Sequence, residues 1–166
     1  MIRLPFAFAT ALLLAACQRE NEGRLVELSG RIFVFNYRVS TANYLVTLRK
    51  LGPLPQGSTA IAEFENPSGG AVLVTRETVF AVDDRITLES PHLRCVRKDH
   101  PYRVTIRILD VGGAVLQELE TSITSDLDQS VLPAKPLVIG PGYTPNPQIF
   151  HADGSSDFSG DETCPK

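Results

Sequence analysis

Three kinds of side chain in this 166-residue sequence could do chemistry: the thiols of Cys17, Cys95 and Cys164, the imidazoles of His92, His100 and His151, and carboxylates gathered toward the C-terminus. The histidines are scattered, and none has the i, i+2 or i, i+4 companion that would turn two rings onto one zinc ion. His92 and His100 flank the charged stretch Arg94–Asp99, which reads as a solvated loop. Asp153, Asp157, Asp161 and Glu162 offer the oxygen donors that calcium takes, but without the spacing of a calcium loop. An acidic tail rich in Ser and Gly is more commonly soluble and disordered. Asp126 and Asp128 suit a turn after a strand equally well. No metal and no other cofactor is expected.

Cys95 stands beside Arg94, Arg97 and Lys98, positive neighbours of the sort that lower a thiol pKa. In an oxidising compartment its expected fate is a disulfide with Cys164. That bridge would close a loop of about 70 residues, worth ~4 kcal/mol by chain entropy. The alternative is two free thiols, with Cys95 a small core residue. There is no Gly-x-Ser-x-Gly, no cysteine and histidine in a recognisable nucleophilic setting, and no carboxylate pair framed by apolar residues. Catalysis is not expected.

The elements that position these groups begin with the N-terminus. Arg3 precedes an almost wholly apolar run, Leu4 to Ala16, and the chain turns polar at Gln18-Arg19-Glu20. That layout is a secretory signal. It is shorter than the roughly 20 residues a membrane span requires, and it contains Pro5. Leu14-Ala15-Ala16-Cys17 resembles the lipobox of bacterial lipoproteins, in which the peptide is cut before the cysteine and the cysteine is lipidated. The alternative is an ordinary secretory signal followed by a stray thiol. The modification that the resemblance implies carries several acyl chains, palmitate among them, and more than one chain makes a firm anchor. Gln18 rather than Asp after the cysteine implies, by the same resemblance, the periplasmic face of the outer membrane.

The chain therefore divides into a signal peptide over 1–16, a lipidated linker over 17–24, a domain over 25–132 and an extended tail over 133–166. A net charge of −3 provides no basic surface for nucleic acid. Within the domain, short runs rich in Val, Ile, Phe, Tyr and Thr alternate with Gly, Pro, Asn and Asp. Tyr102–Ile108 keeps strict period two, with Tyr102, Val104, Ile106 and Ile108 on one face. Asp110-Val111-Gly112-Gly113 then supplies a hairpin turn into Ala114–Leu119. Further strands are expected at Gly30–Phe35, Tyr44–Arg49, Ser58–Glu65, Ala71–Val82 and Arg85–Glu89, the third and fourth joined through Asn66-Pro67-Ser68-Gly69-Gly70. About seven short strands without a βαβ rhythm predict an all-β fold, an antiparallel immunoglobulin-like β-sandwich or a partly closed barrel. After Leu132, Pro133, Pro136, Pro141, Pro145 and Pro147 predict extended chain, with Val138 and Ile139 a candidate edge strand.

This order of features resembles the YbaY-type lipoproteins, related to the pilotin chaperones of type III secretion. The resemblance rests on Leu54-Pro55-Gln56-Gly57-Ser58, on the strand Tyr102–Asp110 and on the apolar strand Val111–Thr121, over about residues 28–132. Cys95, the Arg94–Asp99 loop and the Pro-rich tail with Cys164 depart from it. It implies a non-catalytic accessory or assembly lipoprotein whose client is a secretin or another outer-membrane protein. A client-binding domain would present an edge strand or an apolar groove, with the tail covering that edge. A structural envelope protein would have covered edges and a charged surface, and a periplasmic enzyme or enzyme inhibitor a deep pocket with converging polar groups.

Overall fold

Alternation of apolar and polar residues sets the strands, and the computed structural model, which describes residues 23–160 and Cys164, follows it closely. The signal segment, Cys17, Asp161 and Glu162 lie outside the described residues. Seven strands form the body: β1 (Val26–Asn36), β2 (Thr41–Lys50), β3 (Thr59–Phe64), β4 (Leu73–Thr78), β5 (Arg85–Glu89), β6 (Pro101–Leu109) and β7 (Val115–Thr124). They build two antiparallel sheets, one ordered β1-β2-β5 and the other β4-β3-β6-β7. The result is an all-β sandwich of immunoglobulin type, with β4 paired to β3 rather than to β5.

The inner faces carry the core. Tyr102, Val104, Ile106 and Ile108 of β6 are buried while Arg103 is exposed. Tyr44, Val46 and Leu48 of β2 and Leu88 of β5 meet them from the other sheet, and Phe64 of β3 lies beside them on their own. Each such side chain contributes roughly 1.5–3 kcal/mol through burial. The two core tyrosines keep their hydroxyls bonded: Tyr44 donates to the Glu65 carbonyl at 3.1 Å, and Tyr102 accepts from the Arg97 amide at 2.7 Å.

Strand ends follow the supply of partners. β4 stops at Thr78 because β3 begins opposite it at Thr59, so Val79–Val82 leave the sheet as a loop instead of completing a strand over Ala71–Val82. β7 runs on to Thr124 because β6 offers partners as far as Pro101. In the turn between them, Asp110 accepts the Gly113 amide at 3.1 Å and its side chain takes the Ala114 amide at 2.8 Å. Gly113 sits there at φ +85°, in the left-handed region that a side chain disfavours.

The two open sides of the sandwich are bridged by side chains. At the β1/β7 seam, Gln117 bonds the backbone of Leu25 and Val26, and Arg31 donates to Thr121 Oγ1 at 2.6 Å. At the β4/β5 seam, Thr75 Oγ1 donates to the Glu89 carbonyl at 2.7 Å. The body is thus a sandwich tending toward a barrel, with its edge strands tied across the sheets.

Over 133–160 the tail follows a defined course. Val138–Ile139 (β8) pairs with Thr144–Pro145 (β9) in a hairpin of its own, not with an edge of the sandwich. Pro145 has no amide hydrogen and Pro141 lies in the connection, which confines the pairing to two residues on each side. The tail's bonds to the body reach the β1–β2 turn: Leu137 N–H donates to the Arg38 carbonyl at 2.9 Å, and Ser40 Oγ donates to the Pro133 carbonyl.

Candidate functional site

The residues singled out for chemistry are held in separate places. His92 Nδ1 lies 3.3 Å from Asn43 Oδ1, and His151 Nδ1 lies 2.9 Å from Ser155 Oγ. His100 stands edge-on to Tyr102, ring centroids 4.6 Å apart, with Nε2 3.9 Å from Glu65. Among the described residues no group of three or more His, Cys, Asp or Glu side chains is arranged to hold a metal ion.

The carboxylates act as local caps. Asp153 Oδ1 accepts from the Ser155 amide at 2.9 Å and from its hydroxyl at 2.7 Å, and Asp157 Oδ1 accepts from the Ser159 amide at 3.0 Å. Those bonds favour the ionised form and hold both carboxyls below their ordinary value, led at Asp153 by the Ser155 hydroxyl and at Asp157 by the Ser159 amide. Asp128 caps a 3-10 turn over Gln129–Val131 by accepting from Ser130 N–H at 3.2 Å.

Cys95 and Cys164 are joined, Cα to Cα 5.2 Å, so the end of the chain is tied to the loop between β5 and β6. Cys95 is buried at φ +66°, a backbone region that a non-glycine residue keeps only under constraint. The loop around it is mixed: Arg94, Arg97, Lys98 and Asp99 face water, but Leu93 and Val96 are buried in the core. The purely solvated loop read from its charges misses these anchors, since single apolar residues between charges carry no period.

The two ends of the sandwich differ. The far end, at the β1–β2 turn, is capped by the tail and holds a cleft of about 240 Å³ bordered by Ser40, His92, Arg94, Gln129 and Pro133. Around it the tail exposes Tyr143, Phe150 and Phe158, and the turn exposes Tyr37. Arg38 lies over the Tyr143 ring at 5.5 Å, and Phe150 and Phe158 meet edge to face at 5.9 Å.

The near end, where β1 starts, carries an apolar hollow and apolar loop tips among charged residues. Leu54, Pro55, Val79, Phe80 and Ala81 border an open hollow of about 580 Å³. Val111 leans onto Gly57, where an added Cβ would come within 3.3 Å of it. Gly57 is also at φ +81° in the turn closed by Ser58 N–H to the Pro55 carbonyl, 3.2 Å, so both space and conformation call for glycine in Leu54–Ser58.

The outer face of the larger sheet is laced with charge: Arg107 forms a two-pronged pair with Glu63 at 2.9 and 3.0 Å and a further bond to Glu118 at 2.9 Å. Among the described residues, no buried side-chain nitrogen or oxygen lacks a hydrogen-bond partner.

The sequence signalled the cysteines and the carboxylates, but not the aromatic far end or the apolar near end. Phe80 and Val82 read as the close of a strand, because apolar residues beside a strand look like its continuation.

No protein-family model matches the chain, and no curated protein matches it by sequence. Among solved structures it is similar to Pseudomonas fluorescens alkylpurine DNA glycosylase AlkC bound to DNA containing an abasic site analog, with 19% identity and a TM-score of 0.33. The match covers 63% of this chain and 32% of that one, so the chain spans about a third of that protein's length. A likeness at this level carries no functional argument.

Proposed function

We propose that the protein is a non-catalytic lipoprotein, anchored through Cys17 at the periplasmic face of the outer membrane, that binds an envelope partner with its tail-capped end. The supporting observation is the opposition of the two ends. The chain enters the sandwich at Leu25–Val26, while the disulfide-tied tail lies against Arg38 and Ser40 at the far end of β1. Strands of ten and eleven residues at ~3.3 Å per residue separate the ends by about 30 Å.

The far end also has the composition of a recognition surface. Tyr37, Tyr143, Phe150 and Phe158 are exposed, with Arg38 among them. Tyr supplies large contact area at low ordering cost, and Tyr and Arg are enriched among the residues that dominate the energetics of protein interfaces. Side-chain bridges occupy both seams of the sandwich, so this surface, not a bare strand edge, is the better candidate for holding a client. A pilotin-type role, with a secretin or another outer-membrane protein as client, is in keeping with the resemblance of Leu54–Ser58 and Tyr102–Asp110.

The experiment is recovery of the native lipoprotein from crosslinked, gently solubilised membranes, beside Cys17→Ala and a Tyr143→Ala/Phe158→Ala double variant. An outer-membrane partner that is captured by the native protein and lost from both variants supports the proposal. If the double variant captures it equally well, the far end is not the binding surface. An abundant protein that captures nothing overturns the client-binding role.

A further inference from the structure

The apolar near end raises the question of what covers it. Phe80 is 60% exposed, Val111 82% and Val82 89%, and with Leu54 and Pro55 they crown one end of the sandwich. These side chains are held out on built loops. Lys50 Nζ donates to the Phe80 and Ala81 carbonyls at 2.9 and 3.2 Å, and the Asp83 amide closes a turn onto the Phe80 carbonyl at 3.3 Å. Val111 is propped on the Gly57 turn.

The same end receives the chain from its N-terminal side. Leu51 N–H donates to the Leu25 carbonyl and Lys50 N–H to the Asp84 carbonyl, each at 2.9 Å. The start of β1 and the Phe80 loop are therefore neighbours through β2. Cys17 precedes Gly23 by six residues, a tether of at most about 20 Å when fully extended.

We infer that the near end is a membrane-seating face: Phe80, Val82 and Val111 enter the headgroup and acyl boundary of the bilayer that holds the lipid on Cys17. The inference rests on the lipoprotein reading and adds an orientation to it. A tether this short keeps the near end within about 20 Å of the lipid surface, and exposed apolar tips gain by entering it. Arg24, Lys50 and Arg85 share this end with Asp83, Asp84, Asp110 and, beside Phe80, Glu77, so it has no cationic excess and seating calls for no anionic lipid. Seated in this way, the domain stands upright and turns its tail-capped end toward the periplasm.

The chain has no tryptophan, so one introduced indole reports from one place. The full-length protein, processed in its host, is prepared as Phe80→Trp, Val82→Trp and, for the far end, Tyr143→Trp. Each is reconstituted into phosphatidylcholine vesicles with plain or brominated acyl chains, and the mass of the mature protein reads acylation of Cys17. Val82 is nearly fully exposed, so its variant leaves the core untouched.

Near-end indoles should shift to the blue on reconstitution. They should be quenched by bromolipid about threefold more than Tyr143→Trp, since interfacial side chains reach ~5–10 Å into the boundary. If the protein is acylated and vesicle-bound while the near-end indoles keep their aqueous emission, or both ends are quenched alike, the seating face is wrong and the anchor stands. A blue shift without bromolipid quenching means that protein, not lipid, covers the patch, and also overturns the inference. If Cys17 carries no lipid and the protein stays off the vesicles, the anchor and the seating face fall together.

Discussion

Gln117 on β7 serves Val26 on β1 as a strand neighbour would. Its Oε1 accepts the Val26 amide at 3.0 Å and the Leu25 amide at 2.7 Å, while its Nε2 donates to the Val26 carbonyl at 2.9 Å. One side-chain amide thus stands in for a stretch of ladder and closes the seam where the chain enters the sandwich. Gln117→Leu removes all three bonds and leaves partly buried backbone groups of Leu25 and Val26 unpaired, which costs about 1–3 kcal/mol. Urea unfolding should show a lower midpoint at unchanged slope, and amide exchange at Val26 should quicken. Gln117→Glu keeps the acceptor but sets a carboxylate against the Val26 carbonyl, so it should fall between the two. A midpoint for Gln117→Leu equal to that of the native protein would mean that water replaces the clamp without cost.

Tyr44 lies at the centre of the core, stacked on Phe64 with centroids 5.3 Å apart and planes 6° from parallel. Burial, with Tyr102 and Glu65 adding smaller effects, pushes its phenol well above the ordinary range. The neutral form is the one the fold accommodates. Its contribution is therefore complete below the ordinary phenol value of about 10 and is lost as the pH rises above it. Tyr44→Phe gives up the bond to the Glu65 carbonyl, about 1 kcal/mol at neutral pH, and should flatten the alkaline decline. Urea midpoints at neutral and strongly alkaline pH check both halves. A decline equally steep in Tyr44→Phe would assign it to another group, Tyr102 first, whose phenol burial also raises.

The strands were legible because one face of each sheet is dry: Tyr102, Val104, Ile106 and Ile108 show their burial in their spacing. The seams were not, because Gln117 meets a partner 91 residues away and nothing in its local sequence marks it. The tail looked loose because prolines and acidic residues suggest extension. Its order comes from Asx turns at Asp153 and Asp157 and from contacts with Arg38 and Ser40, which depend on the folded body. Apolar loop residues such as Phe80 and Val82 were absorbed into a strand, since only the register of β3 with β4 shows that the strand has ended.

The Cys95–Cys164 bond, with a sequence separation of 69, encloses β6 and β7 as well as the tail, so its effect should reach the whole sandwich. Loss of the cross-link frees the unfolded chain and lowers stability by ~2–4 kcal/mol. Urea titration with and without reductant measures this, and a Cys95→Ala/Cys164→Ala variant should match the reduced protein. Limited proteolysis of the reduced form should cut first between Pro133 and Gly160, where apart from the buried Ile149 and Asn146 the chain is held by few bonds to the body, such as Leu137 N–H to the Arg38 carbonyl, 2.9 Å. An unchanged midpoint on reduction would show that this bond does not constrain the unfolded chain.

Acid should loosen the tail before it unfolds the body. Asp153 and Asp157 ionise more readily in the folded tail than in an unfolded chain, because Ser155 and Ser159 donate to the carboxylates. A depressed carboxyl value stabilises the fold above the ordinary value of about 4 and loses that contribution as the pH falls through the folded value. The core of the sandwich is an apolar cluster, so its amides should stay protected while those of Ser155 and Ser159 open. Carboxyl-carbon NMR across the acid range reads the two titrations, and amide exchange reads the opening. Asp153→Asn and Asp157→Asn keep an acceptor oxygen without the charge, and should make the protection of the tail amides, measured against an unstructured chain at the same pH, nearly independent of acid. Ordinary titration of both carboxyls in the native protein would mean that these bonds do not persist in solution, and the ordered tail would then have to rest on Cys164 and the contacts at Arg38 and Ser40.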